Sequence, residues 1–210
     1  MLKVAKLVVG QIQENTYVVY NEVNKALVID PGDDADRIIA WIKENGWEPE
    51  AILITHTHFD HVLAVDSVRD EFGIEVYVHE IESETFQTPN RNMQPSTVVV
   101  NRPADHLWSE LGEYTVGSFT FDIALIPGHS PGHVVYTFKE DGFVICGDTV
   151  FNGSIGRTDT PGGDLQTLLV GIARDILTLP GDFVLFPGHG GPTTVSQEIQ
   201  SNPFLQGFKA

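Results

Sequence analysis

The chain of 210 residues is short of cysteine and of basic side chains, and each shortage excludes a class of protein. Cys146 is the only cysteine, so no disulfide can form within the chain. The 12 Lys and Arg residues stand against 29 Asp and Glu residues, which gives a formal net charge of -17 at pH 7. Such an acidic surface repels phosphate backbones and anionic lipids. The composition therefore predicts a partner that is neither a nucleic acid nor a membrane.

Long apolar runs are also missing. No apolar stretch approaches the roughly 20 residues that a membrane-spanning helix needs. The first apolar run ends at the polar segment 11–15, which makes a poor secretion signal. We therefore expect a cytoplasmic protein. Because 41% of the residues are hydrophobic and no linker or change of composition interrupts the chain, we predict a single domain over residues 1–210.

Histidine, by contrast, is concentrated in one place. His56, His58, Asp60 and His61 lie within six residues, directly after the apolar run 51–54. Imidazole and carboxylate groups are common ligands of first-row metal ions, and surface loops rarely concentrate them by chance. Alternate residues of an extended backbone point the same way, so His56 and His58 can share one ion while the next pair faces a second point. The segment therefore predicts ligands for two neighbouring metals.

Three more ligand-type residues follow apolar segments later in the chain. His129, Asp148 and His189 each stand beside a glycine, where the backbone can turn sharply. A glycine-histidine pair is, on its own, more often structural than a ligand. Strand ends, however, converge at one edge of a sheet, which is where open α/β structures place their sites. Taken with the first cluster, these residues predict one shared metal site.

Apolar periodicity predicts a mixed α/β architecture in both halves of the chain. Short strands are predicted over residues 4–10, 16–20, 25–30, 51–54, 74–79, 119–127, 134–138, 142–146 and 183–186. Helices are predicted from the turn 31–34 to Gly46, over 62–72, from the cap Asp164 to 179, and within 193–204. Residues 82–105 predict a long loop with room for one helical turn, and loops of that length often serve as lids or binding segments.

The ligand motifs resemble those of the metallo-β-lactamase superfamily, in that family's order and over nearly the whole chain. They are Thr55-His56-Thr57-His58-Phe59-Asp60-His61, Pro127-Gly128-His129, Gly147-Asp148 and Pro187-Gly188-His189. The resemblance implies an α/β fold that is a four-layer αββα sandwich of the metallo-β-lactamase type, with a dinuclear metal site on one edge.

The same resemblance implies which residues bind each ion. The first ion would be bound by His56, His58 and His129. The second would be bound by Asp60, His61 and His189, and Asp148 would bridge both. A donor set of imidazole and carboxylate groups without a thiolate accepts zinc, iron or manganese. Two divalent metal ions are therefore expected, with zinc favoured.

Five segments narrow the resemblance to the glyoxalase II group and its short bacterial relatives, namely residues 128–133, 147–151, 156–159, 188–194 and 202–205. This resemblance implies hydrolysis of a thioester by a metal-bridging hydroxide, which Asp60 could also aim by a hydrogen bond. A thiolate leaves without a strong general acid, so no separate acid is required. The position of Arg157 implies a side chain that holds a substrate carboxylate, and an ion pair with Asp159 or Asp164 is the alternative.

Three residues are candidates for orienting the metal ligands. Metal-bound imidazoles usually donate their second N–H to a carboxylate or a carbonyl group. Asp30, at the end of a predicted strand, and Thr55 could act in this way, although ordinary turn chemistry explains Asp30 equally well. His133 follows His129 by four residues, and we favour a structural hydrogen bond over metal ligation for it.

Other activities occur on the same fold. A persulfide dioxygenase would bind one iron through His56, His129 and Asp148, as a site of two histidines and one carboxylate. A lactone or ester hydrolase would use the same metals with a different pocket, and a non-catalytic metal-binding module is a third alternative. Full-length glyoxalase II also has a helical C-terminal extension that this sequence does not match. The thiol carrier therefore stays open, as do the acyl group, the metal and the oligomeric state.

Overall fold

The computed structural model describes residues 1–89 and 100–207, which belong to two compact units. The N-terminal unit comprises Met1–Ser109 with Thr115–Phe119, and the C-terminal unit comprises Glu110–Tyr114 with Thr120–Ala210. The prediction of a single domain over residues 1–210 is not decided by this division and stays a prediction.

The N-terminal unit contains a six-stranded sheet whose strands follow the order of the chain. The strands are β1 (Lys3–Val9), β2 (Glu14–Tyr20), β3 (Lys25–Ile29), β4 (Glu48–Leu53), β5 (Glu75–His79) and β6 (His106–Trp108). β1 to β3 pair antiparallel, whereas β3 to β6 pair parallel. Parallel strands need crossover connections, which contain α1 (Ala35–Asn45), α2 (Val65–Phe72) and α3 (Ser83–Gln87). Two 3-10 helices, Phe59–His61 and Glu80–Glu82, precede α2 and α3.

The core of this unit explains why the ligand cluster follows β4. Ile38 and Ile42 lie one turn apart on α1 and are fully buried. They belong to one apolar cluster with Val28 of β3 and Ile52 of β4. Because β4 is paired on both sides and packed in this cluster, its carboxyl end is a fixed point from which the ligand loop starts.

The second six-stranded sheet lies mainly in the C-terminal unit. Its strands are β7 (Gly112–Val116), β8 (Phe119–Leu125), β9 (Val134–Phe138), β10 (Phe143–Gly147), β13 (Val184–Pro187) and β14 (Thr193–Thr194), and β11 (Val150–Phe151) and β12 (Ser154–Ile155) form a separate ribbon. The spatial order is β14-β13-β10-β9-β8-β7, and β10 pairs parallel with β13. Helix α4 (Leu165–Asp175) connects these two strands, and α5 (Val195–Ser201) follows β14.

Helix α4 packs on this sheet through an apolar stripe. The Asp164 carboxylate accepts a hydrogen bond from the backbone N–H of Thr167 at 2.7 Å and caps the helix, as its sequence position predicts. Leu168 and Ile172 are fully buried in a cluster that includes Ile126, directly after β8. The helix ends at Asp175, four residues before the predicted end, because residues 176–178 form turns instead.

The predicted strands and helices are present, with ends that shift by a few residues, but the sequence missed β6, β7, β11, β12 and β14. These strands are two to five residues long, too short for the alternation of apolar and polar residues to stand out. In the predicted loop 82–105, Ser83–Gln87 form α3, while residues 90–99 lie outside the described part of the chain. Among the described residues, no helix combines the length and the apolar character needed to cross a membrane.

Truncation of Leu168 tests the importance of the α4 packing. Leu168→Ala should lower the free energy of unfolding by about 2–5 kcal/mol, because it removes buried apolar atoms and leaves a cavity. Val170→Ala on the same helix is the control, since Val170 is 48% exposed and Leu168 is 0% exposed. The control should change the stability by no more than about 0.5 kcal/mol. Urea unfolding of both variants measures the difference, and equal losses would contradict the assignment of this core.

Candidate metal centre

In the N-terminal unit, the candidate ligands follow β4 in a loop and a 3-10 helix. His56 and His58 lie in the loop, and Asp60 and His61 lie in the 3-10 helix Phe59–His61. His56, Asp60 and His61 are buried, whereas His58 is partly exposed. Buried polar side chains must be hydrogen-bonded or bound to an ion, so their partners define what the loop can bind.

Asp30, the residue after β3, holds the start of this loop. The backbone N–H of Thr55 donates to Asp30 Oδ1 at 2.7 Å, and the Thr55 hydroxyl donates to Asp30 Oδ2 at 2.6 Å. The hydroxyl has one hydrogen, so its oxygen accepts from His56 Nδ1, which lies 3.1 Å away. His56 therefore carries its proton on Nδ1 and presents a lone pair at Nε2.

Asp30 orients His61 in the same way. Its Oδ2 atom lies 2.9 Å from His61 Nδ1, which donates its proton to this carboxylate. The lone pair of His61 is then at Nε2, 3.5 Å from Asp60 Oδ2. Potential ligand atoms of Asp30, His56 and His61 all lie within 4.8 Å of one another, as in a metal site. Because both Asp30 oxygens accept hydrogen bonds, we assign Asp30 to orientation and not to ligation.

The two histidines of the loop are spaced like ligands of one ion. His56 Nε2 lies 3.1 Å from His58 Nδ1. Two imidazole nitrogens that each lie about 2.0–2.1 Å from a tetrahedral zinc ion would be about 3.3 Å apart. The observed spacing is close to this value, so these side chains fit a shared metal ion.

A buried glutamate next to His61 was missed by the sequence analysis. Glu14, at the start of β2, lies with its Oε1 atom 3.7 Å from His61 Nδ1. Burial raises the pKa of Glu14 well above its usual value, and the nearby Asp30 and Asp60 carboxylates raise it further, while His61 lowers it. Gly32 makes this packing possible, since a Cβ atom there would overlap the Asp60 carbonyl oxygen and the Glu14 carboxylate. The sequence signal that could have identified Glu14 is a carboxylate at the start of an apolar strand.

In the C-terminal unit, His129 and Asp148 follow β8 and β10. His129 Nδ1 donates to the Arg157 carbonyl oxygen at 2.7 Å, so its lone pair is at Nε2. That atom lies 3.5 Å from Asp148 Oδ2, and His189 Nε2, after β13, lies at the same distance from the same oxygen. One carboxylate oxygen therefore stands beside two imidazole nitrogens, which is the donor chemistry of a metal site.

His133 holds the backbone of Asp148. Its Nε2 atom accepts a hydrogen bond from the backbone N–H of Asp148 at 3.0 Å. The hydrogen bond has the structural character that we favoured for His133, and the absence of metal ligation by His133 stays a prediction. Gly156 allows the next segment to approach, since a Cβ atom there would overlap the Asp148 carbonyl oxygen and lie 3.0 Å from His129 Nδ1.

The Arg157 side chain is exposed and pairs with Asp159, one of the two alternatives that the sequence left open. Its Nε lies 2.7 Å from Asp159 Oδ1, and its Nη2 lies 3.0 Å from Asp159 Oδ2. The hydrogen bond that Arg157 donates to Asp159 raises the pKa of the guanidinium group further. Because both groups are exposed to water, this pair adds little stability and can be exchanged for another carboxylate.

Glu198 is a second buried carboxylate that the sequence analysis missed, and it holds segments that follow candidate ligands of the C-terminal unit. Glu198 on α5 is fully buried and accepts hydrogen bonds from Gly153 N at 3.0 Å and from Thr193 Oγ1 at 2.6 Å. Asn202 Nδ2 lies 2.7 Å from Glu198 Oε2 and 2.9 Å from the Ser154 carbonyl oxygen. Helix α5 thus ties the segment before Arg157 to the strand that follows His189.

The chain belongs to the metallo-β-lactamase superfamily, whose family model matches residues 9–189. One relative is the probable metallo-hydrolase YqgX of Bacillus subtilis, which is 42% identical and aligns with 99% of this chain and 99% of its own length. Another is the hydroxyacylglutathione hydrolase GloC of Haemophilus influenzae, which is 35% identical over 94% of this chain and 95% of its own length.

Solved structures agree with this assignment. The crystal structure of BLEG-1 B3 metallo-β-lactamase has a TM-score of 0.94 and 42% identity, and the match covers 98% of this chain and 100% of that one. The structure of TTHA1623 in a di-iron-bound form has a TM-score of 0.85 and 35% identity, with 96% and 100% covered. The α/β fold of the metallo-β-lactamase type, predicted from the motifs, is therefore confirmed.

Replacement of Asp30 tests its role in orienting the ligands. The side-chain amide of Asp30→Asn has one acceptor oxygen and one NH2 donor group. In either orientation of the amide, the NH2 group faces a donor whose hydrogen bond the Asp30 carboxylate accepts in the parent protein. We expect the zinc affinity of the apoprotein to fall about 10–100-fold, as is typical for groups that orient metal ligands. Asp36→Asn, at an exposed position on α1, is the matched control. Competition with a chromophoric chelator measures both affinities, and equal values would remove Asp30 from this role.

Proposed function

We propose that the protein is a dinuclear metal hydrolase that cleaves a thioester, as a glyoxalase II-like enzyme does. Membership of the metallo-β-lactamase superfamily supports metal-dependent hydrolysis, and the relative named as a hydroxyacylglutathione hydrolase supports a thioester substrate. The observation that carries the proposal is the orientation of His56, His61 and His129. The Nδ1–H group of each imidazole donates a hydrogen bond to an acceptor of the protein, so the lone pair of the ring lies on Nε2.

The ligands in this proposal are those implied by the sequence motifs. His56, His58 and His129 would hold the first ion, Asp60, His61 and His189 would hold the second, and Asp148 would be available to both. Zinc is our first choice of metal, and iron and manganese suit the same donors. The di-iron form of the 35% identical neighbour supports iron as the first alternative.

The chemistry follows from this donor set. Two such cations, when bound, lower the pKa of a shared water toward about 7 and polarise the carbonyl group of the substrate. Asp60 could accept a hydrogen bond from that water and orient its oxygen toward the carbonyl carbon. A C–O bond would form as the C–S bond breaks, the sulfur would leave as a thiolate without a strong acid, and the proton of the new carboxylic acid would pass to solvent. The Cys146 thiol does not compete as the nucleophile, because burial raises its pKa and keeps it protonated.

A second candidate is hydrolysis of a β-lactam. The similarity to the structure of a B3 metallo-β-lactamase at 42% identity supports it. The same metals and the same attacking water would serve, but a β-lactam nitrogen is a poorer leaving group than a thiolate and gains more from a proton donor. We rank the thioester first because no such donor is required for it.

The remaining parts of the proposal concern the surroundings of the enzyme. The substrate is a small thioester or ester, and no nucleic acid or membrane takes part. We propose that it acts in the cytoplasm, where thiol carriers are kept reduced. Lactone hydrolysis and persulfide oxidation stay alternatives that the assays below distinguish.

Metal removal is the first test of the proposed function. Treatment with a chelator should abolish hydrolysis of a hydroxyacyl thioester, and added zinc, iron or manganese should restore it, because the attacking water needs the ions. The assay follows release of the free thiol, with a chromogenic β-lactam, a lactone and glutathione persulfide measured in parallel. Oxygen consumption with the persulfide would favour the single-iron alternative, and turnover by fully metal-free protein would exclude the mechanism.

Replacement of Arg157 tests the substrate pocket. If this side chain exchanges Asp159 for a substrate carboxylate, Arg157→Ala should raise KM for a carboxylate-bearing thioester about tenfold and leave kcat nearly unchanged. Asp159→Asn is the informative partner, since it releases the guanidinium group and should lower KM. A neutral thioester should respond to neither change. Unchanged kinetics with the anionic substrate would place Arg157 outside the pocket.

A further inference from the structure

Thr57, which separates the candidate ligands His56 and His58, is held by a buried carboxylate from a distant part of the chain. Its backbone N–H donates to Glu82 Oε2 at 3.1 Å, and its hydroxyl donates to the same oxygen in a short hydrogen bond. The hydroxyl of Thr85, on α3, lies 2.6 Å from that of Thr57. Glu82 itself is only 3% exposed.

This contact repeats the one between Asp30 and Thr55. In both cases one carboxylate accepts the backbone N–H and the hydroxyl of a threonine that precedes a histidine. Side chains alternate in direction along an extended backbone. The two threonines can therefore be held by carboxylates while the two histidines turn to the metal. The Thr-His-Thr-His sequence thus has a structural reason for its threonines as well as for its histidines.

The contact fixes the peptide that connects the two ligands. With its N–H and its hydroxyl bound to one oxygen, Thr57 has both its backbone and its side-chain torsions restricted. Rotation of the peptide between His56 and Thr57 would break the first of these bonds, and would leave a buried carboxylate short of a donor. The spacing of 3.1 Å between His56 Nε2 and His58 Nδ1 depends on that peptide.

We propose that Glu82 is a positioning residue of the metal centre, which sets the geometry of the His56–His58 pair through Thr57. This inference rests on the proposed function to the extent that the pair binds a metal ion. It gives the 3-10 helix Glu80–Glu82 a role in metal binding that no pattern in its sequence predicts. The role is one of orientation, since Glu82 contacts the threonine between the ligands.

The test measures metal binding by the whole protein, without any assay of turnover. Apoprotein of Glu82→Gln is titrated with cobalt and with zinc in competition with a chelator. The variant should bind the first ion about 10–100-fold more weakly, and the cobalt absorption bands should shift, because the ligand angles change. Glu84→Gln is the matched control, since it makes the same chemical change two residues away at an exposed position. The control should bind both metals as the parent protein does.

A second pair of variants keeps the test decisive if Glu82→Gln fails to fold. Thr57→Val keeps the shape of the side chain but removes the hydroxyl, whereas Thr57→Ser keeps the donor. Thr57→Val should weaken metal binding and Thr57→Ser should preserve it. In the Glu82→Gln/Thr57→Val double variant, the two losses should not add, because both remove the same contact.

Thermal unfolding of each apoprotein separates a local role from a structural one. If Glu82→Gln or Thr57→Val lowers the apoprotein Tm but leaves metal affinity and the cobalt spectrum unchanged, Glu82 is merely structural and the proposal is overturned. The outcome is independent of the proposed reaction. A parent protein that binds metal but cleaves no thioester would reject the hydrolase and leave the Glu82 result standing.

Discussion

The Asp30 carboxylate is the contact on which the candidate ligands of the N-terminal unit depend. It accepts three hydrogen bonds, two from Thr55 and one from His61, and through Thr55 it also fixes the proton of His56. Its own backbone is held in the left-handed region, with φ at 48°, which aspartate tolerates better than most residues. The Asp30 N–H donates to the Leu53 carbonyl at 3.1 Å, and its carbonyl accepts from Thr16 Oγ1 at 2.9 Å. The end of β3 is therefore shaped so that one side chain can serve two ligands.

Buried carboxylates recur around the candidate site and alter the meaning of the acidic composition. Among the described residues, those with buried side chains are Glu14, Asp30, Asp60, Glu82, Asp148 and Glu198. We read the net charge of -17 first as a property of the surface, yet part of it lies inside. A buried carboxylate is costly unless donors or a cation compensate it. Asp30, Glu82 and Glu198 accept hydrogen bonds from nearby donors. Asp60 lies 3.5 Å from His61 Nε2, and Asp148 lies 3.5 Å from the Nε2 atoms of His129 and His189, a mixture of donor types that suits a metal ion. Folding and metal binding are coupled in such a site.

The sequence shows the candidate ligands more readily than the carboxylates packed around them. The ligand motifs are local, so a run of imidazoles after an apolar strand is visible in one segment. The contacts of Glu82 with Thr57 and of Asp30 with Thr55 each join residues 25 positions apart. Asp30 could be named because it ends a strand next to a turn. Glu82 stands among other acidic residues and looks like part of a solvated surface until α3 is seen to begin there. The sequence analysis missed short strands such as β11 and β12 for a similar reason. Their hydrogen-bonded pairing defines them, and not a pattern of apolar and polar residues.

The orientation of His61 bears on the choice between one metal and two. In the single-iron alternative, His56, His129 and Asp148 bind the metal, and His61 has no part in the chemistry. His61 is nevertheless oriented in the same way as His56. Its Nδ1–H group donates to Asp30, and the lone pair on its Nε2 atom lies near Asp60. Burial of this imidazole beside three carboxylates, one of which has its pKa raised by burial, is difficult to explain as packing alone. A second cation held by Asp60 and His61 would compensate that arrangement, which is why we favour the dinuclear hydrolase over the single-iron enzyme.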